Sequence, residues 1–362
     1  MPSKKNQGPG VGLPGNGDEN ANGREQRPTL KTIAFMTGLG VTTVSRALSD
    51  APDISQSTKE RVRLVAQQIG YRPNRAGVRL RTGKTNVISL VMNIEQEVMA
   101  VSTHLVYGLS QYLARTPYHL IVTPYELGTD PIDPVRYIVE TGSADGIILS
   151  RTEPEDPRVQ YLVDHNFPFA THGRTDMGIA HPYYDFNNEA YARVGVEVMV
   201  RRGRKRLSLL GPSADLSFAQ HMTAGFIRGI EENDLLEIPI RRVTTDNPHS
   251  VIQAEVERIM KSRHRPDGLI CGSVNAAIAA TAGIEAAGFT VGNEIDIYVK
   301  ESFHLMEKFR PNIFVVHEDF RTAGQELGRA IEQTLKGTDP KELQMLETPS
   351  LQAVTQNGKL LE

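Results

Sequence analysis

The chain has 362 residues, 39% hydrophobic and 23% charged, with a formal net charge of −3. That size predicts two or three domains and an ample core. No apolar run approaches the ~18 residues of a membrane-spanning helix, and no apolar stretch of a secretory leader follows Lys4 and Lys5. The single cysteine, Cys271, excludes an internal disulfide or multi-cysteine metal site and fits a reducing cytoplasm.

The net charge hides an asymmetry. Residues 27–83 carry ten lysines and arginines against three acids, a balance of +7. Residues 1–26 sum to zero, so 84–362 carry −10. A compact basic segment joined to an acidic body points to a head that binds a polyanion.

Residues 1–26 are rich in Gly, Pro, Asn and Gln and are expected to be a disordered extension. Gly10-Val11-Gly12-Leu13-Pro14-Gly15 matches a dinucleotide-binding pattern, but no strand precedes it and no helix follows. Residues 29–70 predict three short helices. Thr29 caps the first, which places Leu30, Ile33 and Ala34 on one face and breaks at Thr37-Gly38-Leu39-Gly40. The second runs from Val41 to about Ser49, with Val44, Ala47 and Leu48 inward. The third runs from Ser57 to about Ile69, with Lys59, Arg61 and Arg63 outside its apolar stripe, and stops at Gly70.

Two short helices joined by a glycine-containing turn are a helix-turn-helix signature. Its second helix would enter the DNA major groove. Val41 and Thr42 then present methyl groups to thymine, and Arg46, one turn on, can fork onto guanine. Thr32, Thr43 and Ser45 are placed for phosphates, which set register rather than sequence.

Beyond residue 84, strand-like runs alternate with helices. The runs are Val87–Met92, Leu120–Thr123, Gly146–Leu149, Phe167–Thr171, Leu207–Leu210, Gly268–Cys271, Ile295–Val299 and Ile313–Val316. Helical stretches include 101–115, 155–165, 188–202, 217–232, 250–262, 275–287 and 320–336. This alternation predicts parallel sheets covered by helices, with enough chain for two lobes. The basic run Arg201-Arg202-Gly203-Arg204-Lys205-Arg206 reads as cations at a helix C-terminus. The histidines lack metal-site spacing, and neither a GxSxG elbow nor a P-loop occurs. No metal, cofactor or enzymatic activity is therefore expected.

Thr29-Leu30 through Leu48, Ser57-Thr58-Lys59-Glu60-Arg61-Val62 and Ile69-Gly70-Tyr71-Arg72-Pro73-Asn74 resemble the head of the lac-repressor/galactose-repressor (LacI/GalR) family. Arg75-Ala76-Gly77-Val78-Arg79-Leu80-Arg81-Thr82-Gly83 resembles that family's hinge. Asp145-Gly146-Ile147-Ile148-Leu149, Arg265-Pro266-Asp267-Gly268, Gly288-Phe289-Thr290-Val291 and Glu318-Asp319-Phe320-Arg321 extend the resemblance along the chain. It implies an all-α helix-turn-helix head plus an α/β two-lobed effector domain of periplasmic-binding-protein type. The implied organisation is a head over 27–73, a hinge helix over 74–83, an effector-binding and dimerisation domain over 84–347, and a tail over 348–362. It further implies a homodimeric regulator, expected to be a repressor, on a pseudo-palindromic operator. Asn74, Arg75, Arg79 and Leu80 contact DNA in that reading, with Leu80 wedged into the minor groove. Gly77 lowers helix propensity in the hinge, and Gly40 stands where the family usually has a serine cap.

Ligands in such folds sit beyond the carboxyl ends of strands, between lobes. The candidates are Ser150, Arg151, His172, Arg174, Phe218, Met222, Ser273 and Glu301, in part implied by alignment with the family. Several departures stand out. Met222 replaces a frequent arginine, Ser273-Val274 replaces Asn-Asp, Val299-Lys300-Glu301-Ser302 replaces Gly-Phe-Asp-Asp, and Gly173 replaces an Asp. With Arg151, His172, Arg174 and Lys300 nearby, these departures favour an anionic effector, a sugar acid or sugar phosphate, over the alternative of a neutral sugar. A solute-binding protein for transport is the rival class; it predicts a secretory leader and no basic head. Residues 341–362 show no leucine heptads of a tetramerisation segment.

Overall fold

The computed structural model describes residues 28–71, 83–93, 99–126, 128–302, 304–357 and 359–360. The expected extension over 1–26 lies outside the described residues, as do the hinge residues Asn74, Arg75, Arg79 and Leu80. The chain forms two compact units, one ending at Gly83 and the other beginning at Lys84.

In the first unit, α1 (Leu30–Thr37) starts at Thr29, whose hydroxyl and backbone exchange hydrogen bonds with Thr32, and ends at left-handed Gly38. Helix α2 (Val41–Leu48) starts at Gly40 with no side-chain cap. Helix α3 (Gln56–Gln68) is capped by Ser55. Ile33, Ala34, Val44, Ala47, Val62 and Ala66 make a small shared core.

The cations of α3 behave differently from the expectation that all lie outside the packed face. Lys59 is buried, with Nζ 3.2 Å from Asp50 Oδ1, and Arg63 Nη2 lies 2.8 Å from the same oxygen. These cations hold the Asp50 carboxyl below its ordinary range. Arg61 Nη2 donates to the Thr37 carbonyl, 3.2 Å away, near the end of α1. The cations therefore tie the α2–α3 loop and the end of α1 to α3.

The second unit holds two sheets. The first contains β1 (Val87–Asn93), β2 (His119–Tyr125), β3 (Gly146–Leu149), β4 (Phe169–His172), β5 (Tyr183–Phe186) and β11 (Gln344–Glu347). Its order is β11-β5-β4-β3-β1-β2, and every pairing is parallel. Helices α4 (Met99–Leu113), α5 (Ile132–Thr141), α6 (Pro157–Asp164) and α12 (Phe320–Leu335) belong to this lobe. β1 and β3 are buried throughout, which explains their unbroken apolar sequences.

The second sheet contains β6 (Arg206–Leu210), β7 (Leu236–Glu237), β8 (Gly268–Cys271), β9 (Asp296–Glu301), β10 (Phe314–His317), β12 (Thr355–Gln356) and β13 (Lys359–Leu360). Its order is β13-β12-β10-β9-β8-β6-β7. Helices α7 (Asn188–Arg201), α8 (Ser217–Glu232), α9 (His249–Met260), α10 (Val274–Ala286) and the short α11 (Met306–Phe309) belong to this lobe. Residues 348–362, expected as a tail, supply β12 and β13, antiparallel additions to this sheet.

One device recurs in both lobes. Asp145, just before β3, accepts the backbone N–H groups of Thr85 and Asn86 at the entry to β1. Asp267, just before β8, accepts those of Lys205 and Arg206 at the entry to β6. The basic run over 201–206 is bridged within its lobe, by Arg202 and Arg204 on buried Asp296 and by Arg206 on Asp267.

Helices cross closely where glycine permits. A Cβ at Gly108 of α4 would collide with the Arg321 carbonyl oxygen, and one at Gly324 of α12 with that of Leu105. The chain passes between lobes after β5, after β10 and after β11. Two of these crossings are tied together by Asn187, whose backbone N–H donates to the Glu347 carbonyl at 2.7 Å.

Candidate functional site

In the head, α2 buries Val44 and Ala47 against α1 and α3. The opposite face leaves Val41, Thr42 and Arg46 exposed, with Thr43 and Ser45 at its edges. The residues placed by spacing at base edges thus share one solvent-facing surface. Arg46 Nη2 lies 2.6 Å from Asp53 Oδ1, and both side chains are about half exposed. Thr32 is exposed at the start of α1, where its hydroxyl accepts the Thr29 backbone N–H at 3.1 Å.

In the second unit a cavity of about 220 Å³ lies between the lobes. Arg151, His172 and Asp185 line it from the first lobe, and Phe218, Asp246, Ser273, Lys300 and Glu301 from the second. Phe186 and Phe320 add aromatic surface next to the crossings. Aromatic walls with a few placed polar groups are the usual make-up of a small-molecule site.

The cations there are already committed. Arg151, in a left-handed conformation at φ 53°, places Nη2 2.9 Å from Asp246 Oδ2 and Nη1 3.3 Å from Oδ1. That pair spans the cleft. Lys300 Nζ lies 2.7 Å from Glu318 Oε2 and 2.9 Å from Asn188 Oδ1. It also faces the rings of Phe186, Tyr191 and Phe218. Arg174 Nε sits 2.9 Å from Asp185 Oδ2, at ion-pair distance but without hydrogen-bond alignment.

Burial sets the protonation states. It pushes the Asp185 carboxyl up to about 7, against the pull of Arg174 and with a push from Glu318. It holds the His172 imidazole down at about 4, so this ring is neutral at pH 7. Glu301 Oε2 accepts the Met306 backbone N–H at 2.8 Å. Its buried Oε1 hydrogen-bonds nothing among the described residues and remains available to a ligand hydroxyl. Ser273 Oγ caps α10 by accepting the Ala276 N–H; its own proton can still reach the cavity.

Of the eight residues expected to contact an effector, Arg151, His172, Phe218, Ser273 and Glu301 line the cavity. Ser150, Arg174 and Met222 are not among the lining residues. Ser150 is buried at the end of β3, where its carbonyl accepts from Arg158. Arg174 is turned to Asp185. Met222 is fully buried in the core of the second lobe with Phe186, Tyr191 and Phe226. Asp185 and Asp246 were not singled out from sequence. An acid inside the Tyr183-Tyr184-Asp185-Phe186 run, and another in the turn before α9, were the only signals for them.

A helix-turn-helix head with a polar-lined cavity between two α/β lobes defines a DNA-binding protein with a ligand-binding module. Comparison with known proteins gives the family. Residues 29–74 match the model "Bacterial regulatory proteins, lacI family", and residues 196–353 match a periplasmic-binding-protein-like domain. The regulator RafR of Escherichia coli is 28% identical over 326 residues, covering 89% of this chain and 96% of the relative. AglR of Rhizobium meliloti (strain 1021) is 27% identical over 311 residues, covering 83% and 86%. A lac repressor dimer bound to operator and the anti-inducer ONPF shares the fold with a TM-score of 0.76 at 19% identity, over 89% of this chain and 96% of that one. The CelR–cellobiose complex shares it at 0.63 and 20% identity, over 89% and 97%. The chain thus joins a LacI-family helix-turn-helix domain to a periplasmic-binding-protein-like domain, the make-up of a DNA-binding transcriptional regulator, and these curated relatives are HTH-type transcriptional regulators. No helix among the described residues is long and apolar enough to cross a membrane.

Proposed function

We propose that the chain is a repressor that binds a pseudo-palindromic operator as a homodimer and responds to a small neutral sugar held between its lobes. Each head would read one half-site through α2, with Val41, Thr42 and Arg46 on base edges and Thr32, Thr43 and Ser45 toward phosphates. Ligand bound between the lobes would change their closure and so shift the population able to dock both heads.

One observation carries the effector class: the cations lining the cavity are neutralised from within. Arg151 is matched by Asp246 and Lys300 by Glu318. His172 is uncharged at neutral pH. Arg174, a third cation read from sequence as an anion ligand, lies outside the lining and is paired with Asp185, which lines the cavity. A sugar acid or sugar phosphate would need one of these pairs to break, and separating a largely buried pair is strongly unfavourable. Hydroxyl groups can instead donate to Glu301, Asp246 and Asp185 and accept from Ser273 and the Arg151 edge. The CelR relative is a complex with cellobiose, which accords with this class.

The test takes two steps. An operator is selected from random DNA with the purified protein, and binding is followed by fluorescence anisotropy. Affinity should fall steeply with salt; a flat response counts against the DNA reading. Neutral sugars should then change operator affinity while sugar acids and sugar phosphates do not. The reverse pattern would discard the neutral-sugar reading.

A further inference from the structure

We propose that the effector site has a second chamber beyond the Arg151–Asp246 pair, and that the ligand is a neutral oligosaccharide whose outer sugar units occupy it. This rests on reading the inner cavity as a neutral-sugar site.

A second cavity, of about 430 Å³, shares Arg151 and Asp246 with the inner one. The two chambers therefore meet at that ion pair. Both lobes line the outer chamber, with Tyr125, Glu153 and Arg158 from the first and Asp215 and Asn247 from the second. The inner cavity alone, at about 220 Å³, falls below the ~300–1,000 Å³ typical of ligand pockets, and the joined chambers fall within that range.

One residue lining the outer chamber, Arg158, has a buried donor that is unmet among the described residues. Arg158 is 1% exposed. Its Nε and Nη2 donate to Asp156, and Nη2 also donates to the carbonyls of Ser150 and Arg151. Its Nη1 has no hydrogen-bond partner among the described residues. A buried guanidinium N–H left unmet is costly, and Arg158 lines this chamber.

The charge balance selects the ligand. Arg158 is matched by Asp156 at 2.6 Å and Arg151 by Asp246 at 2.9 Å. Glu153 and Asp215 add carboxylates with no further arginine or lysine among the lining residues. An anion is disfavoured, while sugar hydroxyls have carboxylates and an amide to bond and the Tyr125 ring to lie against. The Arg151–Asp246 pair sits between the chambers, since both residues line each of them.

Isothermal titration calorimetry of the full chain tests this with glucose, galactose, maltose, cellobiose, raffinose, glucuronate and glucose 6-phosphate. At least one neutral di- or trisaccharide should bind tenfold or more tighter than either hexose. Thr129 is exposed and lines only the outer chamber. Thr129→Trp should fill it, weakening that oligosaccharide tenfold or more and leaving hexose affinity within twofold. Glu153→Ala should weaken the oligosaccharide alone by a smaller factor. Hexoses binding as tightly as oligosaccharides, with both variants silent, would overturn the second chamber and leave the inner site standing. No saccharide binding, or binding of the charged sugars only, would overturn both.

Discussion

Lys300 on β9 and Glu318 in the crossing after β10 form an ion pair of 2.7 Å, with side chains only 10% and 5% exposed. Asn188, at the start of α7, accepts a hydrogen bond from the same ammonium. The pair therefore links two of the crossings between lobes. Lys300→Met should leave the Glu318 carboxylate buried and unmatched, and breaking such a pair costs roughly 3–5 kcal/mol. Urea unfolding checks this. Lys300→Met with Glu318→Leu should recover most of the loss, because a pair replaced by apolar groups is often neutral in stability. A double variant no more stable than Lys300→Met would discard this account.

Two groups in the cavity titrate against each other. Asp185 has a folded pKa of about 7, above its ordinary value of 3.8, because burial disfavours its charge. Its contribution to stability is present at low pH and is lost as pH rises from about 4 to about 7. His172 has a folded pKa of about 4, below its ordinary 6.5, again because of burial. It costs stability at low pH, and that cost disappears as pH rises over nearly the same window. The two slopes oppose each other. Relative to the parent, His172→Phe should make stability fall more steeply between pH 4.5 and 6.5, and Asp185→Asn should make it rise more steeply. Thermal unfolding across that range measures both, and equal slopes in all three proteins would contradict the assignment.

Arg46 rests on Asp53 when no DNA is present. A half-exposed pair is worth about 0–1 kcal/mol, so Arg46 can leave it for a base edge at little cost. A bidentate contact to guanine is worth ~1–3 kcal/mol. Arg46→Ala should therefore weaken the selected operator about 5- to 150-fold and random DNA much less. Asp53→Asn should raise affinity for random DNA and narrow the specificity ratio. Anisotropy at one fixed salt concentration reads both effects.

Met222 distinguishes packing from ligand contact. Its side chain is fully buried in the second lobe's core, and methionine-to-alanine changes in cores cost roughly 2–5 kcal/mol. Met222→Ala should lower the unfolding midpoint while leaving effector affinity within about twofold under conditions where the protein stays folded. A large loss of affinity with unchanged stability would return Met222 to the site.

The sequence by itself determined the elements that depend on local pattern. The three head helices, with Thr29 as a cap and Gly38 as a stop, follow from capping and 3.6-residue periodicity. The fully buried strands, such as β1 and β8, announce themselves as apolar runs because both of their faces are covered. The exposed face of α2 was legible for the same reason, since Val44 and Ala47 fix the direction in which Arg46 points.

Only the tertiary structure decided how the charges pair. Sequence marked Arg151, Arg174 and Lys300 as cations near strand ends, but their partners lie 95, 11 and 18 positions away. Coulombic partners at that separation leave no periodicity to read. The short strands β5, β7, β11, β12 and β13 escaped for a related reason. With two to four residues each, and a polar or charged residue in every one, they show no unbroken apolar run and owe their conformation to neighbours supplied by distant chain. Those pairings, which no local pattern announces, leave the cavity's two lining cations, Arg151 and Lys300, each facing a carboxylate.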